Sequence, residues 1–337
     1  MQLKDYWGYN MRKWILALIL LCSTLVSFAE DIYQQIYNLD SPYYGKDFPT
    51  AKYVSYPREN VSIELSYKET GTAHFAGSEH SLFTEIVLIK VGKTVKTIIT
   101  EEQPYPMNKN YITLCKMHNG NKLLSHTGVF EGIEFFEPWI GFNIKFYEIM
   151  KYTNNPIIKE LPENIESKFN KDNEYWVPTV RKNKPNDGRG FYPFYNEAKT
   201  LKRLIEMNLC NPIDSPQILE KNLKNKKEIN IDELYLDNQF LLYPLDNNNV
   251  VSYNNTAFYL EQNKNYNLAV YLLKKIIEKY PSREVAYINL GDAYWESGNK
   301  KGAVQSYQNY VQKMYNLGKQ EKIPERVLNR IESFPNN

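Results

Sequence analysis

Apolar and polar residues alternate with a period of two through much of the first half of the chain, a pattern that predicts strands. "VSIELSY" at 61–67 is one such run. "TEIVLIKV" and "TVKTIIT" stand on either side of Gly92-Lys93 and predict a hairpin. "YITLCKMH" and "NKLLSH" stand on either side of Asn119-Gly120, the dipeptide that most favours a two-residue hairpin turn. Such a turn sets Cys115 opposite Leu124, on the face shared by Thr113 and Met117. "GIEFFEPWIGFNIKFYEIM" is too aromatic for a surface and reads as strand then helix, with no clear period.

Breakers crowd residues 154–193: Asn154-Asn155-Pro156, Leu161-Pro162, "RKNKPNDGRG" and Tyr192-Pro193. From Phe194 the period becomes helical, with Phe194, Ala198, Leu201, Ile205 and Leu209 on one face. Interruptions at Asn211-Pro212 and Tyr243-Pro244 do not end this pattern. The expected fold is α+β. A strand-rich domain at 30–155 is followed by a loop-rich linker at 156–193, a helical region at 194–249 and helical repeats with a capping helix at 250–337.

The repeat has a period of 34 residues. Tyr253 aligns with Tyr287, Ala257 with Gly291, Leu260 with Tyr294, Ala269 with Ala303 and Leu273 with Tyr307. The turn between the copies carries Pro281, which stops a helix. A small residue on each helix of a pair lets the two backbones approach, and large residues one turn away fill the remaining space. An aromatic, then Leu290-Gly291, Tyr294, Ala303 and Tyr307 resemble the tetratricopeptide repeat over about residues 250–312. The copy at Tyr253 is weaker, with Thr256 where Leu is usual. Upstream, Tyr235 falls where a small residue is needed, and downstream Pro324 falls inside a first helix. Two helical pairs and a cap, "PERVLNRIESF", are therefore expected.

The resemblance implies a protein or peptide partner on the concave face formed by the first helices, and no cofactor. Carried over, that face holds Asn254, Phe258, Glu261, Ile288, Asp292 and Trp295. Val285 and Asn289 also lie there, and the Lys and Arg residues that would grip a terminal carboxylate are missing. Trp295 is the expected anchor, since aromatics carry a large share of interface energy; packing on the cap or on the N-terminal domain is its other reading.

Composition narrows the setting. "WILALILLCSTLVSF" follows Met11-Arg12-Lys13 and ends at Ser27-Phe28-Ala29. Residues 1–29 thus read as a secretory signal with an upstream extension, cut after Ala29. The run is shorter than the roughly 20 residues that span a bilayer. Extracytoplasmic placement, periplasmic or secreted, is expected, with no integral span after cleavage. Without Lys4, Arg12, Lys13 and Asp5 the chain has equal numbers of basic and acidic residues, which argues against nucleic acid as partner. Cys115 and Cys210 then remain as an even pair; a disulfide is preferred over two buried thiols.

Catalytic patterns are sparse. "VGKTV" lacks the upstream glycine of a phosphate loop, since Val87 stands there. His74, Glu79 and His80 could cluster in a loop, but polar loop residues are the plainer reading. Cys115 and His118, three apart in a strand, point to opposite faces and cannot share a metal. Glu131, Glu134 and Glu137 are spaced as on an amphipathic surface and could otherwise pair as glycosidase-like carboxylates. The preferred function is a non-catalytic, exported protein-binding module, in a sharper form an immunity protein that neutralises a toxin. The alternative is an extracytoplasmic enzyme acting on an envelope polymer, with the repeats as adaptor and Glu131, Glu134, His74, His80 and Cys115 as its first candidates.

Overall fold

A computed structural model describes residues 52–75, 78–99, 109–134, 137–150, 156–169, 176–178, 191–193 and 196–334. The expected signal segment at 1–29 lies outside them. None of the described helices is long and apolar enough to cross a membrane.

The chain folds as α+β, with two four-stranded antiparallel sheets followed by eight helices. The first sheet joins β1 (Lys52–Tyr56), β2 (Val61–Phe75), β3 (Ser78–Val91) and β4 (Thr94–Ile99) in chain order. The second joins β5 (Lys109–Lys116), β6 (Lys122–Glu134), β7 (Glu137–Met150) and β8 (Ile157–Glu160). Helix α1 (Glu163–Phe169) and a small ribbon of β9 (Trp176–Pro178) with β10 (Phe191–Pro193) follow. The strand-rich part therefore runs past residue 155. The expected linker contributes β8, hydrogen-bonded to β7 through Tyr147–Met150.

Period-two alternation places Val61, Ile63, Leu65, Val87, Ile89 and Val91 on one face of the first sheet. They share a core with Ile112, Leu114, Leu124, Tyr147 and Ile149 of the second sheet. The second sheet is buried on its other face too. Cys115, Leu123, Ile144 and Phe146 meet Phe169 of α1, Leu201 and Leu204 of α2 (Glu197–Glu206), and Cys210. Each such side chain contributes about 1.5–3 kcal/mol when fully buried. Helix α2 buries Thr200, Leu201 and Leu204, so its inner face is turned slightly from the expected 198/201/205 stripe. Residue 194 lies outside the described residues.

Two sequence expectations are corrected in the second sheet. The turn at Asn119-Gly120 has three residues, His118 to Gly120: the Met117 amide bonds the Asn121 carbonyl, and Gly120 takes φ +83°. The extra residue shifts the register by one, and Cys115 stands opposite Leu123 rather than Leu124. The described residues of "GIEFFEPWIGFNIKFYEIM" are the paired strands β6 and β7, with strand where a helix was expected.

Helices α3 (Pro216–Lys224), α4 (Glu233–Leu242), α5 (Val250–Gln262), α6 (Tyr266–Lys279), α7 (Glu284–Glu296) and α8 (Lys300–Asn316) form three successive pairs, closed by α9 (Glu325–Glu332). Helices α5 and α7 start 34 residues apart, as do α6 and α8, and α3 starts 34 residues before α5. A pair thus precedes the two that the sequence revealed. It departs from them in its packing. Helix α3 lies on α5, whereas α4 packs on α2, β5 and α6 and makes little contact with α3. Tyr235 fits because the pair is splayed, and its hydroxyl accepts a hydrogen bond from the Asp214 amide (2.9 Å). Burial pushes that phenol up to about 12.

Side chains start these helices. Asn196, Ser215, Asp232 and Asn299 accept hydrogen bonds from the amides of Lys199, Ile218, Tyr235 and Gly302. Helix α4, "ELYLDNQFLL", carries apolar residues on several sides because three cores meet on it, with Asp237 left exposed. Leu234 enters the core between the sheets, Leu236 the repeat core, and Leu241 and Leu242 pack against the core around Cys210. Asn238 donates to the Leu114 carbonyl at 3.1 Å, and Asp232 pairs with Lys116 at 2.7 Å. The strand-rich part and the repeats are therefore joined through shared cores.

Candidate partner-binding face

The first helices of the pairs, α3, α5 and α7, lie in sequence along one layer, with α5 touching both neighbours. Asn255 of α5 donates to Glu220 of α3 at 2.9 Å. The six expected residues occupy three equivalent positions on α5 and α7: 254/288, 258/292 and 261/295. The structure sorts them into covered and open.

Asn254 is covered. It is 2% exposed and its Oδ1 finds no hydrogen-bond partner, so it does not stand on an open surface as expected. Helix α5, which carries it, packs between α3 and α7. Ile288 is half-buried against the core of α8 and α9. Phe258 is open at 42% exposure, its ring edge-on to Tyr259 (centroids 5.4 Å apart). Val251 and Val285, equivalent to each other in the 34-residue frame, are also exposed on these helices. The face thus presents three large apolar side chains.

Asp292 and Trp295 are engaged by the cap. Arg326 of α9 pairs with Asp292 Oδ2 at 2.7 Å. Arg330 pairs with Asp292 Oδ1 at 2.8 Å and with Glu296 Oε1 at 3.0 Å, and its Nη1 donates to the Tyr307 hydroxyl at 2.6 Å. That hydroxyl donates in turn to Asp292 Oδ1 at 2.8 Å. The Arg330 guanidinium lies 4.9 Å from the centre of the Trp295 ring, and Lys300 Nζ lies 3.8 Å from it. Trp295 packs on the cap, the other reading that the sequence left open for it.

Glu261 stands on α5 beside this network. Its Oε2 accepts a hydrogen bond from neighbouring Gln262 at 2.6 Å. Burial holds its pKa above the ordinary 4.5; the Asp292 and Glu296 charges push the same way, and the Gln262 bond and Arg330 oppose them.

The residues weighed for catalysis separate. Cys115 is bonded to Cys210, with their Cα atoms 5.9 Å apart, and is no free nucleophile. In "HFAGSEH", residues 74–75 end β2 and 78–80 begin β3, while 76–77 lie outside the described residues. The register sets His74 opposite Glu79 and His80 opposite Ala73. Glu131 and Glu134 lie in β6, opposite Ile140 and Glu137. His118 sits in a turn, 2.9 Å from Asn208 Oδ1. No group of three or more His, Cys, Asp or Glu able to hold a metal is assembled among the described residues. A cleft of about 610 Å³ lies between the α3–α4 connection and the α5–α6 turn, lined by Leu223, Lys226, Ile229, Ile231, Asn263 and Asn265 among others.

The sequence signal for Val251 and Val285 was the 34-residue spacing itself, which puts two valines at one exposed position. Nothing local in the sequence revealed that Arg326 and Arg330 return to α7. Comparisons with protein-family models, curated proteins and solved structures find no match to this chain.

Proposed function

We propose that this chain is an exported, non-catalytic protein-binding module that holds its partner on the face of α5 and α7, in the manner of a tetratricopeptide array. The observation that carries the reading is the exposure of Val251, Phe258 and Val285 together on consecutive first helices. Exposed apolar side chains grouped in this way favour contact with another macromolecule. The α3–α4 pair supports it by giving the array the three units that such repeats need to bury a common core. The signal-like segment at 1–29 is consistent with work outside the cytoplasm. A toxin is one partner that this role admits.

The test is a photo-crosslinking amino acid placed at residue 258 of the full chain in the producing cell. A discrete protein adduct from position 258, and none from the exposed Tyr315 position on α8, is expected. Adducts from 315 alone, or from neither position, would remove this face as the working surface.

A further inference from the structure

The chain's own cap shows what chemistry this face accepts. On α7 an arginine lies over the Trp295 ring while its guanidinium bonds Asp292 and Glu296. This combination of aromatic plane and carboxylates recognises a guanidinium, which stacks and forks at once. Glu261, Asp292 and Glu296 are electrostatically coupled, together with Arg330. Arg326 and Arg330 pair with Asp292 and Glu296, but among the described residues no lysine or arginine forms an ion pair with Glu261. Glu261 is thus the carboxylate of the three that forms no ion pair among the described residues, with Arg330 acting on it only at longer range, on the helix that also exposes Phe258.

Asn254, four residues before Phe258 and seven before Glu261, shares their helix face. It is nine-tenths buried and more, and its carbonyl oxygen lacks a donor. The stripe thus carries an acceptor without a donor at Asn254, an exposed ring at Phe258 and, at Glu261, a carboxylate bonded only to the neutral Gln262 amide.

We infer that the face of α5 takes a partner segment bearing an arginine or lysine beside an apolar side chain, the cation at Glu261 and the apolar group on Phe258. This rests on the protein-binding reading and names the class of partner. An acidic segment would meet the Glu261 carboxylate and be repelled.

The probe is a short, labelled, helix-forming peptide with leucine and arginine along one face, beside a counterpart with glutamate in place of arginine. Both are titrated into the full chain by fluorescence anisotropy at low and high salt. The arginine peptide is expected to bind about tenfold or more tightly than its counterpart, and to weaken as salt rises. Glu261→Lys and Phe258→Ala should each lower its affinity by about tenfold, the scale of an interface anchor, while Tyr315→Ala leaves it unchanged. Equal binding of the two peptides, binding of neither, or indifference to both Glu261→Lys and Phe258→Ala overturns the assignment. A crosslink from position 258 alongside any of those results would leave the protein-binding reading standing and remove only the cationic partner. Loss of both would remove both.

Discussion

Gly291 offers a quantitative test of how the repeats pack. A Cβ at this position would lie 2.4 Å from Cδ1 and Cε1 of Tyr307 and 3.0 Å from its Cζ. Tyr307 is fully buried, and its hydroxyl is fixed between Asp292 and Arg330. The ring cannot swing away without breaking those bonds. Overpacking costs about 1–3 kcal/mol, and a 2.4 Å contact with a pinned ring falls in the upper part of that range, about 2–3 kcal/mol. Against it stands the gain of about 1 kcal/mol from replacing glycine by alanine inside a helix. Gly291→Ala is therefore expected to destabilise the protein by about 1–2 kcal/mol. The preceding pair shows the remedy, because the equivalent positions hold Ala257 and Leu273, both fully buried in one core. In a Tyr307→Leu background, Gly291→Ala should become neutral or stabilising by up to about 1 kcal/mol, giving a coupling of about 1–3 kcal/mol. Urea denaturation of the four proteins, followed by tryptophan fluorescence, measures the cycle. A neutral Gly291→Ala in the Tyr307 background, or the same cost in both backgrounds, would refute the claim that this ring excludes a methyl group.

Three further outcomes follow from the geometry. Arg330→Ala removes one of the two cations over Trp295 and two ion pairs, at an expected cost of about 1–2 kcal/mol in the same denaturation assay. A red shift in tryptophan emission should accompany it as α9 loosens; an unshifted spectrum would show that Trp295 is not held by the cap. Replacing both Cys115 and Cys210 by alanine opens a link between residues 95 apart in sequence and should cost about 2–5 kcal/mol. The Glu261 pKa is raised on folding, so the folded state binds the proton more tightly and stability falls as pH rises through the window above 4.5. Glu261→Gln should accordingly raise the melting temperature at neutral pH and lose that advantage below the ordinary glutamate value. A difference that is constant with pH would rule out the linkage.

Much of the architecture was visible in the sequence because it rests on local periodicity. The strands at 61–67, 84–91 and 111–116 and the helices from α5 to α8 follow from alternation or from the 34-residue spacing. What escaped it depended on partners distant in the chain. The register of Cys115 turned on one extra residue in a turn whose composition suits two lengths. The pair α3–α4 stayed hidden because Tyr235 and Leu223 stand where small residues mark the later copies, and only the splaying of α4 toward β5 accommodates them. Strand β8 is too short to reveal itself among prolines and asparagines. On the candidate face, Phe258 was legible as an exposed aromatic. The burial of Asn254 requires knowing that α3 lies beside α5, and the covering of Asp292 and Trp295 requires knowing where α9 returns.

Helix α4 bears on how a tug at the proposed face would be felt. A load applied to α5 by a tethered partner passes to α4 through the repeat core, where Tyr253 stacks on Phe240 at 4.7 Å. From α4 it reaches β5 by way of Asn238 and Lys116, and β5 is anchored by the covalent link at Cys115. The path runs through hydrogen bonds, packed side chains and a disulfide, without a slack connector in it. Pulling on the array should therefore strain the strand-rich part directly, making the two a single mechanical element rather than beads on a string.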